Sequence, residues 1–161
     1  IDAMKASAAN SNLLHRFSTA DVAQALAAQL PEYPVVMAMH GVGDSLGPQL
    51  MAELGDVTRF THRNAITAFA GVDPGADQSG THEAKSTRVS KSGPPELRRA
   101  LFLVMDCLLK TQPQDDPVYR FMDKKRAEGK PYLVYMTAGA NKFLRIYYAS
   151  VKAYLDTLDE A

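Results

Sequence analysis

A mainly α, compact helical domain is the fold this sequence predicts. Apolar residues recur at i, i+3, i+4 and i+7 through most of its length, glycine and proline fall mostly between those stretches, and in the polar stretch from Gly71 to Gly93 only Thr87–Ser90 is strand-like. At 161 residues, roughly 70% of the unfolded surface can be buried, enough for one core. Hydrophobic residues at 46% and charged residues at 22% exclude a disordered or collagen-like chain.

The elements follow from the punctuation. Residues 2 to 16 form a weakly amphipathic helix, and Ser18 or Thr19 caps a second over 20–30, before Pro31. Residues 1–30 are thus a helical arm or the end of a coiled connector, and 31–161 the domain proper. Because helix is already in register at Ile1, the chain is expected to be a fragment preceded by another domain. Residues 35–40 are a short apolar helix or strand, too brief for periodicity to decide. Gly41 and Gly43 make a tight turn into a helix over 44–54, with Leu46, Leu50, Met51 and Leu54 on one face and Gly55 as C-cap.

A helix over 62–70 carries Ala65, Ile66, Phe69 and Ala70 at helical spacing. From Gly71 to Gly93 the chain turns rich in Gly, Ser, Thr and charge, which predicts an ordered loop or small hairpin, and loops this long in compact domains tend to carry function. Helices resume over 94–111, with Pro94 and Pro95 in the first turn, then over 116–128 up to Gly129, and over 131–157. Leu50, Phe69, Leu101, Val104, Leu108 and Leu144 are the expected core, and the tyrosines of the last helix its body and rim.

Several chemistries are excluded or narrowed by composition. Cys107 is the only cysteine, so neither an internal disulfide nor a cysteine-based zinc site is available. His15, His40, His62 and His82 lie far apart with no metal-ligand spacing, and no metal site is assigned. No apolar run approaches the ~20 residues of a membrane span, and no signal peptide opens the chain, so a cytoplasmic location is expected. Lys and Arg number 18 and so do Asp and Glu; nucleic-acid binding would therefore need local clusters.

Such a cluster exists. Lys85, Arg88, Lys91, Arg98 and Arg99 stand against Glu96 alone over residues 85–99, a patch suited to a phosphodiester backbone. The turn Gly41-Val42-Gly43 has the form of a helix-hairpin-helix, in which backbone amides at a helix start point at a phosphate, or else is a plain turn between core helices; Asp44 would oppose a phosphate there. Lys142 and Arg145, three apart, face either solvent or the basic loop. Ser79, beside Gly80 and ahead of the basic cluster, is a candidate nucleophile toward a phosphodiester. Asp77, Ser79 and His82 suggest a hydrolase triad, against which stands the absence of a G-x-S-x-G elbow around the serine.

Taken in order, several motifs resemble the C-terminal transposase domain of the IS116/IS110/IS902 class of insertion sequences. They are Gly41-Val42-Gly43, Leu50 followed by Gly55-Asp56, Phe69-Ala70-Gly71, Pro74, Ser79-Gly80, Ser90 to Gly93, Leu97 to Leu101, Gly129-Lys130-Pro131 and Lys142 to Arg145. The resemblance covers roughly residues 35 to 150. It implies a site-specific DNA recombinase of the bacterial cytoplasm and nucleoid, with Ser79 joining covalently to DNA. It also implies DNA contacts from Gly41, Gly43, Arg88, Lys91, Arg98, Arg99, Lys142 and Arg145, a structured guide RNA, and assembly as a dimer or tetramer. A divalent metal, Mg in such proteins, is implied in an acidic N-terminal domain that these residues do not contain; Asp115, Asp116, Asp156, Asp159 and Glu160 read as cap and solvated-end charges. No cofactor is expected in this segment, and alone it is expected to be inactive. The alternatives are a non-catalytic helix-hairpin-helix module that binds nucleic acid, or an oligomerisation scaffold built on residues 1–30 and the last helix.

Overall fold

The computed structural model describes residues 19–73 and 92–160, together with the backbone of 78–79 and 82–83. The expected helix over 2–16 and the strand material at Thr87–Ser90 lie outside the described residues, as do the side chains of Ser79, Lys85, Arg88 and Lys91. The protein is mainly α. Its elements are α1 (Thr19–Ala27), α2 (Tyr33–Met37), α3 (Leu46–Leu54), a 3-10 turn (Val57–Arg59), α4 (Arg63–Ala70), the strands β1 (Gln78–Ser79) and β2 (His82–Glu83), α5 (Pro95–Thr111), α6 (Pro117–Ala127) and α7 (Tyr132–Asp159).

Local chemistry sets most of the boundaries. The Asp116 carboxylate accepts from the amides of Val118 at 2.8 Å and Tyr119 at 2.7 Å, and Pro117 supplies a first residue that needs no amide partner, so α6 starts there. His62 caps α4 through Nδ1, accepting from Asn64 and Ala65 at 3.2 Å. Gly71 ends α4 in the left-handed conformation at φ 65°. Of residues 35–40, open between helix and strand in the sequence, the first three belong to a helix that runs from Tyr33 to Met37, with Pro34 in its first turn rather than breaking it, and Ala38 is its C-cap.

The 28 residues of α7 are the spine. α2, the 3-10 turn, α4, α5 and α6 all pack on it, α3 packs on α5 and α2, and α1 lies on α3. Tyr147, Phe143, Leu144 and Met136 of α7 meet Leu101, Met105 and Leu108 of α5, Ile66 of α4 and Met122 of α6 in one fully buried cluster. Leu50, Leu101, Val104, Leu108 and Leu144 are buried as expected. Phe69 is not. It is half-buried, with its ring 5.5 Å from that of Phe60 and the Arg59 guanidinium 4.4 Å from its centroid, because this edge of α4 is covered by a side-chain stack instead of another helix.

Within the stretch expected to be a loop or small hairpin, Ser79 pairs with His82 and Gln78 with Glu83 in antiparallel register.

Two outcomes test this packing. Leu101→Ala removes a fully buried side chain and is expected to lower unfolding stability by about 2–5 kcal/mol, whereas Leu103→Ala on the same helix, 42% exposed, should change it by under about 0.5 kcal/mol; denaturant titration measures both. Asp56 is held below its ordinary 3.8 by the Thr58 hydroxyl at 2.7 Å and the Thr58 amide at 2.8 Å. A depressed carboxyl contributes stability that is present above 3.8 and lost as pH falls through the lowered value. Thr58→Val should raise the Asp56 midpoint, as read by carbon-detected NMR titration.

Candidate functional site

The segment that carries Ser79 leaves the helical body after Asp73 and returns at Ser92. Both ends are held by named contacts at the C-terminal end of α4. On the outgoing side, the Val72 amide donates to the Thr67 carbonyl at 3.2 Å and so closes the helix cap. Asn141 of α7 then clamps the chain, its Nδ2 donating to Asp73 Oδ1 at 2.8 Å and to the Val72 carbonyl at 3.5 Å. On the returning side, Gly93 lies directly on the Phe69 and Ala70 backbone: a Cβ there would overlap the Phe69 carbonyl oxygen and stand 2.6 Å from the Ala70 carbonyl carbon. Arg98 donates from Nη1 to the Gly93 carbonyl.

The consequence is a shared base. α4, the first turns of α5 and the middle of α7 bring the two roots of the serine-bearing segment together, and Arg98 and Arg99 sit at the returning root. Arg98 is half-buried and Arg99 exposed. Arg88 and Lys91 lie outside the described residues.

Lys142 takes a different direction. Its ammonium is 4.7 Å from the centroid of the Phe121 ring on α6, and Lys125 is 5.1 Å from the same ring. Asn141 and Lys142 are successive residues, about 100° apart around the helix, so one faces the loop root while the other faces α6. Arg145 is exposed.

The Gly41 turn is explained first by packing. Gly41 has φ +79° and its ideal Cβ would be 2.9 Å from the Val104 carbonyl oxygen and 3.1 Å from Leu108 Cγ of α5, so only glycine fits. Gly43 is exposed, and a Cβ there would meet nothing within 4 Å. At the start of α3 the Gly47 amide already bonds the Gly43 carbonyl at 2.9 Å and Pro48 has no N–H, leaving few amides for a phosphate. Asp44 and Ser45 are exposed beside it.

Two contributors were not singled out in the sequence. Arg59 lies over both Phe60 and Phe69, at 4.5 and 4.4 Å, while its Nη2 donates to the Leu54 carbonyl at 2.8 Å and closes the end of α3. Asn141 is the other, and nothing local marks a helical asparagine as a clamp on a residue 68 positions away. Among the described residues no three of His, Cys, Asp and Glu are grouped to hold a metal ion. Nor is any described helix long and apolar enough to cross a membrane. A cleft of about 280 Å³ between α1 and α3, lined by Thr19, Ala23, Ser45, Pro48, Gln49 and Ala52 among others, contains no titratable side chain.

The root geometry is testable. Gly93→Ala forces a methyl into backbone, which cannot rotate away as a side chain can, and is expected to cost about 1–3 kcal/mol. Asn141→Ala should cost about 1 kcal/mol through its lost hydrogen bonds and shift the Asp73 amide resonance; thermal unfolding and amide NMR spectra report both.

Comparison with known proteins places this geometry in a family. The pilin gene-inverting proteins of Moraxella bovis and Moraxella lacunata are each 29% identical to it over 112 residues, covering 70% of this chain and 34% of theirs. The chain therefore spans about a third of the length of those relatives. Residues 33–120 match the family described as Transposase IS116/IS110/IS902, a segment that runs from α2 into α6 and contains both roots of the serine-bearing loop. That match extends over more than half of the sequence, and the chain belongs to the IS116/IS110/IS902 transposase family.

Proposed function

We propose that this domain is the DNA-binding, serine-bearing part of a site-specific recombinase, and that Ser79 is its nucleophile. One observation carries this reading: inside the family-matched segment, the loop that bears Ser79 is pinned at both roots, with Arg98 and Arg99 at one of them. A nucleophile must be delivered to a phosphodiester in a defined geometry, and a clamped base limits where the loop can go. The relatives' printed names, which describe inversion of a pilin gene, fit DNA rearrangement.

In the proposed step, Ser79 Oγ attacks the phosphorus and loses its proton. A Ser–O–P bond forms, one P–O bond to a deoxyribose breaks, and the departing sugar oxygen is protonated. The strand is cut without hydrolysis, so a second sugar hydroxyl can reverse the exchange onto a new end. A serine hydroxyl is a weak nucleophile without a base, and arginine side chains stabilise charge developing on the phosphoryl oxygens. Arg98 is suited to that work, with Arg88 and Lys91 of the loop as further candidates. The remaining Arg98 nitrogens stay available while Nη1 holds Gly93.

The rest of the proposal rests on the family resemblance. A guide RNA, a Mg-binding acidic domain and assembly as a dimer or tetramer are assigned to the full-length protein, in the bacterial cytoplasm. Without that acidic domain, this segment alone is expected not to cleave DNA.

The deciding experiment is recombination by the full-length protein on its own element. Ser79→Ala should abolish recombination and the covalent protein–DNA adduct while changing DNA affinity less than about twofold, since one small hydroxyl contributes little to binding. Recombination that survives Ser79→Ala but is lost on changing Ser86, Ser90 or Ser92 would refute the assignment.

A further inference from the structure

We propose that the seam between α6 and α7 is a second duplex-DNA contact surface, separate from the loop root, in which Lys125 and Lys142 grip the phosphodiester backbone and Lys124 and Lys130 flank it. This rests on the reading of the domain as DNA-binding and assigns it a further site.

The geometry begins with one aromatic ring. Phe121 is half-buried in α6 and holds the ammoniums of Lys125, from its own helix, and Lys142, from the neighbouring one, at 5.1 and 4.7 Å from its centroid. Two positive charges from different helices are thus kept within about 10 Å of each other, the Debye length at 0.1 M salt. They repel, and the ring offsets only part of that repulsion. Among the described residues the ion pairs are Arg126–Asp123 at 3.5 Å and Lys152–Asp156 at 3.4 Å; neither Lys125 nor Lys142 has a carboxylate partner there. An external anion would relieve this arrangement.

The surroundings extend the same charge. The last turn of α6 carries Lys124, Lys125 and Arg126, and Lys130 follows it. Within residues 121–130 the acids are Asp123, which pairs with Arg126, and Glu128. In a chain whose formal charges balance, this is a local concentration rather than a share of a global excess.

The kind of contact follows from the ring. Phe121 has ammoniums placed over it, so it orients cations and offers no free platform for stacking a base. That favours backbone contact over base reading. DNA is the partner that membership of a transposase family implies, and duplex DNA presents adjacent phosphates to which two fixed ammoniums can bind with release of counterions. The surface is distinct from the loop root because Asn141, next to Lys142, is bonded to Asp73 on a different flank of α7.

The test is a salt titration of the chain's affinity for a short fluorescent DNA duplex, run for the wild type, for Lys125→Gln with Lys142→Gln, for Lys125→Arg with Lys142→Arg, and for Arg98→Gln with Arg99→Gln. The Lys-to-Gln pair is expected to weaken binding about tenfold near 0.1 M salt and to reduce the slope of log affinity against log salt by about 2, the loss of two phosphate contacts. The Arg pair should restore both, and all variants are checked for an unchanged circular dichroism spectrum and midpoint. Combining the Gln changes of both surfaces should multiply their separate losses.

If the Lys-to-Gln pair binds as the wild type does while the Arg98 and Arg99 variant is weakened, the second surface is overturned and the DNA-binding reading stands. If the pair loses affinity for a structured RNA hairpin but not for the duplex, the assignment to DNA is overturned. If the wild type itself does not bind the duplex, this inference and the DNA-binding reading fail together.

Discussion

Everything in this domain depends on burying one continuous face of α7. A helix of 28 residues needs partners along its length, because its propensity alone does not offset the entropy of ordering it. α6, α5, α4, α2 and the 3-10 turn supply those partners. Tyr147 shows how complete the burial is: its phenol is pushed well above the usual tyrosine range, first by desolvation and then by the nearby Glu32. Tyr148, one residue on, is buried with its hydroxyl donating to the Phe60 carbonyl at 3.1 Å, and so ties the spine to the segment between the 3-10 turn and α4.

Packing on α7 explains how a loop of low apolar content acquires a fixed origin. α4 is seated on the spine, its C-terminal end is therefore fixed, and the chain leaving it is caught by Asn141 from the spine itself. The returning chain presses Gly93 onto the same end of α4 before α5 begins. Position at the loop root is thus inherited from the hydrophobic core through a few short polar and backbone contacts. An enzyme that delivers a side chain from a loop benefits from such an arrangement, because the scaffold limits the loop's range without having to order its tip.

Charge is organised by the same framework. Cations on α5 collect at the loop root, while those of α6 and the adjoining part of α7 gather around Phe121. Arg59 shows a third arrangement, in which the guanidinium sits against two phenylalanine rings and closes a helix end. Its planar group can do this where a lysine cannot, since stacking and hydrogen bonding to Leu54 use different parts of it.

The sequence by itself determined which elements form and nearly where they end, because helical periodicity, caps and breakers are local. Asp116 ahead of Pro117, Gly71 after Ala70 and Gly55 after Leu54 mark ends that the structure places within a residue or two. It also determined the family, since the ordered motifs from Gly41 to Leu101 are a property of the string. Only the tertiary structure decided what touches what. Phe69 has the spacing of a core residue yet stands half-exposed under Arg59, because periodicity identifies a face and not the neighbour that covers it. Gly41 has the form of a phosphate-turn residue, but its place against Val104 shows why glycine is needed there. Lys142 was free to face solvent or loop until α6 brought Phe121 beneath it, and Asn141 became a clamp only when folding brought Asp73 to it. These are contacts between residues distant in sequence, so their geometry exists only once the core has formed.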